Sequence, residues 1–85
     1  MKSLSDLILE EVKVARPLVL FKVFRHDKEI KKLLGIKKLR KQMFYDLATT
    51  HYIIRGKGDL IVNDVNSAKE LLNRIKMRIR YEKTV

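Results

Sequence analysis

Cysteine is absent from the 85 residues, which excludes disulfides and any zinc site built on thiolates. Histidine occurs twice, at His26 and His51, on separate stretches of chain with no further His or Cys at ligand spacing beside them. Proline occurs once, at Pro17, and the three glycines are Gly35, Gly56 and Gly58. No apolar run reaches the ~18 residues a membrane span requires. No Walker motif, no GxGxxG and no serine in a nucleophile elbow is present. Glu10 and Glu11 are neighbours on a helical stretch and point apart, so they do not form a catalytic carboxylate pair. These absences leave no footing for an enzyme, and no metal, cofactor or small-molecule ligand is expected. Acids interrupt the opening MKSLSDLILEE where a secretory signal would continue its apolar core, so an intact cytoplasmic chain is expected.

What the chain does have is positive charge, +10 overall. It is unevenly spread. Lys22 to Lys41 carries nine Lys or Arg against two acids, Asp27 and Glu29, whereas Met1 to Arg16 balances three bases with three acids. The tail from Asn66 has six bases and two acids. A basic block of this kind is the footprint of a nucleic-acid partner; the plainer alternative is a set of well-solvated lysine-rich helices. The length allows one domain, residues 1–85, whose core is small enough that dimerisation would add useful burial.

Local signals divide the chain into short elements. Ser3 can cap a first helix, with Asp6 completing a capping box, and Leu4, Leu7, Ile8, Val12 and Ala15 then share a helical face. Pro17 suits the first turn of a second helix running to about His26. Its LVLFKVF core would also suit a strand, but no turn signal interrupts it. Asp27 is a good N-cap for a third helix with Ile30, Leu33 and Leu34 on its apolar face. Gly35 is placed to end that helix in the left-handed conformation.

From about Lys37 to Thr50 the spacing predicts a basic helix. Leu39, Met43, Leu47 and Thr50 fall on one face, and Lys38, Lys41, Gln42, Tyr45 and Thr49 on the other. His51 to Asn63 reads as a hairpin, with arms Tyr52-Ile53-Ile54 and Leu60-Ile61-Val62 around a Gly56-Lys57-Gly58 turn. Asp64 or Asn66 can cap a last helix over 65–82. Val65, Ala68, Leu72, Ile75 and Ile79 recur there at a/d spacing over about two heptads. That stripe suits dimerisation through a twin helix, or a helix folded back on its own domain.

The order short helix, glycine corner, basic helix and hairpin resembles the winged helix-turn-helix superfamily. DKEIKKLLGIKKLRKQMFYDL and HYIIRGKGDLIV carry the resemblance. LLGIKK looks like the LGIS-type corner of many repressors, and the small, cysteine-free, Lys/Arg/Ile-rich chain is similar to small regulators of archaeal plasmids and viruses. The resemblance covers about half the chain. It implies a mainly α fold with a small β-hairpin, an N-terminal helix and a C-terminal dimerisation helix. It also implies that Lys37, Lys38, Lys41, Gln42, Tyr45 and Thr49 face the major groove and that Arg55 and Lys57 reach out from the wing. Lys28, Lys31 and Lys32 would touch phosphates. The expected function is sequence-specific double-stranded DNA binding by a homodimeric transcription regulator. A sequence-neutral architectural protein fits the charge equally, and so does a winged-helix module that binds acidic protein or RNA.

Overall fold

The computed structural model describes residues 3–14, 16–45, 47 and 56–84. In chain order its elements are helix α1 (Leu4–Glu11), strand β1 (Val12–Val14), helices α2 (Pro17–Phe24), α3 (Lys28–Leu34) and α4 (Lys41–Tyr45), strand β2 (Leu60–Val62) and helix α5 (Val65–Thr84). The protein is thus mainly helical with one small sheet.

The helix boundaries follow from capping chemistry. The Ser3 hydroxyl accepts from the Asp6 amide at 3.2 Å and starts α1. Pro17 sits at the start of α2, where its missing N–H costs nothing. The Asp27 carboxylate accepts from the Ile30 amide at 2.9 Å and starts α3. Gly35, at φ 69 and ψ 32, ends α3 in the left-handed region, its amide donating to Lys31 and Lys32 carbonyls. Of the two caps considered for the last helix, Asp64 serves: its carboxylate accepts from the Ser67 amide at 2.7 Å, and the Ser67 hydroxyl accepts from the Asp64 amide at 3.2 Å.

Several expectations are corrected. The basic helix begins at Lys41 rather than Lys37, and Leu39 enters the core from the connection ahead of it. The first helix stops at Glu11, and Val12 is extended at φ −144 and ψ 163. The β-branched Val12-Lys13-Val14 run is a strand rather than a last helical turn; Ala15 lies outside the described residues. β1 pairs in parallel with β2, in the register Val12 to Leu60, Lys13 to Ile61 and Val14 to Val62. The expected strand Leu60-Ile61-Val62 therefore exists, but its observed partner comes from the start of the chain. The other expected hairpin arm, Tyr52 to Ile54, lies outside the described residues. Parallel pairing demands a long crossover, and α2, α3 and α4 supply it.

A further correction concerns α5. Of the expected dimer seam, Ala68, Leu72, Ile75 and Ile79 are buried within the chain itself, while Val65 is 51% exposed. The a/d stripe folds back because α1, α2 and α3 offer it an apolar bed. It joins Leu4, Leu7, Ile8, Val12, Leu20, Phe24, Ile30, Leu39, Phe44, Leu47 and Val62 in one core. Phe44 is the hub between helices, its ring centroid 5.7 Å from both Phe21 and Phe24. With twenty residues, α5 is about 30 Å long, nearly the 36 Å long axis of the molecule.

Candidate nucleic-acid interface

The charge pattern of the candidate site is set by what α5 does with acids. Its apolar stripe is flanked by two basic edges. On one edge the Lys76 ammonium lies 2.5 Å from Asp27 and 3.3 Å from Glu29, and Arg80 also pairs with Glu29. The Lys83 ammonium donates to the Leu33 carbonyl at 2.7 Å, at the carbonyl-rich end of α3. On the other edge Arg78 bridges Glu10 at 2.7 Å and Glu11 at 3.1 Å, on α1. Arg74 pairs with Glu70 at 3.1 Å and lies 3.8 Å from Asp59.

These contacts perturb the carboxyls. Partial burial works against ionisation of Asp27, but the Lys76 ammonium and the Ile30 amide outweigh it and hold the group below its ordinary 3.8. Hydrogen bonding to Arg80 holds Glu29 below 4.5, with Lys76 adding to it. The Ser67 amide and hydroxyl hold Asp64 below 3.8. Half-exposed ion pairs contribute roughly 0–1 kcal/mol each, so their larger effect is to sort charge. Asp27 and Glu29 are the two acids within the basic block, and both are taken by α5. Among the described residues, none of the nine bases from Lys22 to Lys41 has a carboxylate within ion-pair distance.

Part of that block lines a groove of about 420 Å³ between the C-terminal end of α2, α3 and the start of α4. Its described lining is Phe21, Arg25, His26, Lys31, Lys38, Leu39 and Lys41. The Arg25 guanidinium lies 5.7 Å from the centre of the Phe21 ring, and the Lys41 ammonium 6.0 Å from it. The Arg25 Nε–H donates to His26 Nε2 at 3.0 Å.

The residues expected to touch DNA are distributed unevenly. Lys31, Lys38 and Lys41 meet at the groove. Lys28 and Lys32 are exposed on α3, and Gln42 and Tyr45 are exposed on α4. Lys37 and Lys38 belong to the connection between Leu34 and Lys41, not to a helix. Lys57 lies elsewhere, beside Asp6, Leu9 and Glu10. The Lys57 amide donates to the Leu9 carbonyl at 2.9 Å, so the glycine turn closes the C-terminal end of α1. Cβ atoms on Gly56 or Gly58 would collide with backbone carbonyls of α1 and β1. Thr49 and Arg55 lie outside the described residues. Sequence reasoning misses Phe21, Arg25 and His26 because their helix reads as a core helix, although the pair Arg25-His26 at its polar end is a visible signal.

Among the described residues no helix is long and apolar enough to cross a membrane, and no group of three or more His, Asp or Glu is placed to hold a metal. The fold and charge define a small basic helical protein with a two-stranded parallel sheet and a cation-lined groove. The chain belongs to the family of the "Uncharacterized protein ORF86" of Acidianus bottle-shaped virus (isolate Italy/Pozzuoli). It is 38% identical to that protein over 66 residues, 78% of this chain and 76% of the relative. No family model matches the chain, and no solved structure matches it.

Proposed function

We propose that this chain is a sequence-specific double-stranded DNA-binding regulator that presents α3, the following connection and α4 to the duplex as a helix-turn-helix. One observation carries the reading: α5 neutralises Asp27 and Glu29, leaving the bases of Lys22 to Lys41 without a carboxylate partner among the described residues. Like charges held together repel one another, and a polyanion relieves that repulsion while releasing its own counterions. The resemblance to small regulators of archaeal plasmids and viruses supports the same reading, and the viral source of the relative is compatible with it. α4 supplies the base-reading part. Gln42 is exposed there, and its amide has the donor and acceptor geometry to pair with adenine. Gln42→Ala is expected to relax preference at one base pair by about 1–3 kcal/mol; an unchanged ratio of specific to random binding would remove Gln42 from that role.

The regulator is read as a homodimer on two half-sites, in cytoplasm. With the α5 seam committed within the chain, the partner copy would meet the outer face of α5. Met77 and Tyr81 stand one turn apart there, 67% and 72% exposed. A second reading, a sequence-neutral architectural protein, is favoured by the position of Lys37 and Lys38 in a connection, where they suit phosphate better than base edges. Selection from a random duplex pool at two salt concentrations tests both. A roughly palindromic motif that survives the higher salt supports the dimeric regulator. Binding without enrichment, falling steeply with salt, supports the architectural reading. No binding at either salt overturns both and leaves a module for RNA or acidic protein.

A further inference from the structure

The groove contains one cation whose geometry differs from the others. Lysines reach a phosphate on long flexible stems and lose rotamer freedom when they bind. Arg25 is already held: its Nε–H is engaged by His26 at 3.0 Å, and its planar head lies 5.7 Å from the centre of the Phe21 ring. Phe21 is fixed in turn by Phe44, at 5.7 Å. Among the described residues the two terminal amino groups of Arg25 have no hydrogen-bond partner. They form a fork that matches two oxygens of one phosphate. Lys31, Lys38 and Lys41 border the same groove, and no carboxylate is among its described lining. The groove, about 420 Å³ and open to solvent on one side, leaves these cations accessible to a phosphodiester.

We propose that this groove seats one phosphodiester of the nucleic-acid backbone, with Arg25 as its anchor and Phe21 and His26 as the residues that position Arg25. The inference rests on the nucleic-acid reading above and gives it a defined point of attachment. The seat lies between α2 and the α3–α4 connection, so it fixes how α4 is presented to the duplex rather than which bases α4 prefers.

The test is a set of anisotropy titrations with a short random-sequence duplex over a range of salt concentrations. It uses the full chain, Arg25→Gln, Arg25→Lys, and Lys69→Gln, an exposed base near the start of α5 and about 12 Å along the helix from Met77. Arg25 is exposed, so the fold should survive, and circular dichroism checks that it does. Arg25→Gln is expected to weaken binding on the order of tenfold and to flatten the plot of log affinity against log salt by about 0.9, the slope of one phosphate. Arg25→Lys is expected to restore the slope but only part of the affinity, because an ammonium is not a fork. Lys69→Gln is expected to change neither appreciably. If the unaltered protein binds duplex and Arg25→Gln keeps its slope, or if Lys69→Gln matches Arg25→Gln, the seat is wrong and the broader reading survives. If the unaltered protein does not bind duplex, the nucleic-acid reading falls and the seat with it.

Discussion

At the scale of single residues, the glycines show how one residue type serves different physical needs. Gly35 is left-handed at φ 69 but faces open space, with nothing within 4 Å of where a Cβ would stand. Gly35→Ala therefore meets conformational strain alone and is expected to cost about 1 kcal/mol. Gly58 is different: a Cβ there would collide with the Glu11 carbonyl, and the backbone must move to admit it. Gly58→Ala is expected to cost more, roughly 2–3 kcal/mol. Denaturant titration of the two variants separates the cases, and equal losses would contradict the close approach of the turn to α1. The sequence shows both glycines as turn residues, and for Gly35 that is sufficient. It does not show that Gly56-Lys57-Gly58 is pressed against a helix end far away in the chain, because a missing Cβ leaves no trace of what occupies its place.

At the scale of elements, the joint between α3 and α5 carries a prediction. Asp27 does two things: it caps α3 through the Ile30 amide and it pairs with Lys76. Asparagine can keep the cap and lose the ion pair, whereas alanine loses both. Asp27→Ala is expected to cost about 1 kcal/mol more than Asp27→Asn in thermal or denaturant unfolding, the ordinary worth of a cap. Two equally costly variants would mean that Asp27 acts chiefly through Lys76 and that its cap adds little. Such joints also show what is legible in the chain alone. Helix starts and stops at Ser3, Pro17, Asp27, Gly35 and Asp64 can be read because capping is local, set within three or four residues. The partner of β2 cannot, because Val12-Lys13-Val14 continues the apolar spacing of α1 and carries no mark of the strand it meets. Lys37 and Lys38 fit a helical pattern because basic residues suit any solvated backbone, and Leu39, buried at 2%, supplies the periodicity. The stripe on α5 is apolar, as its spacing says. Whether its bed lies in the same chain or another is invisible to periodicity, and here it lies in the same chain.

At the scale of the whole molecule, charge sorting has a dependence on pH. Asp27, Glu29 and Asp64 have carboxyls held below their ordinary values of 3.8, 4.5 and 3.8. A carboxyl with a depressed folded-state value stabilises the fold above its unfolded value, and that stabilisation is lost as pH falls through the depressed value. The unfolding midpoint is therefore expected to stay level from neutral pH to about pH 5 and to fall below it, with a shallower fall in Asp27→Asn. Melting curves across that range check the sign, and a midpoint that rises on acidification would contradict it. The parallel sheet also constrains the order in which the molecule can be assembled on the ribosome. β1 is made before its hydrogen-bonding partner β2, which does not exist until α2, α3 and α4 have been translated. Until then the edge of β1 is unsatisfied, and the turn that closes the end of α1 does not yet exist. The nascent chain must carry an open strand edge while those three helices are translated, so the sheet closes only after they have been made.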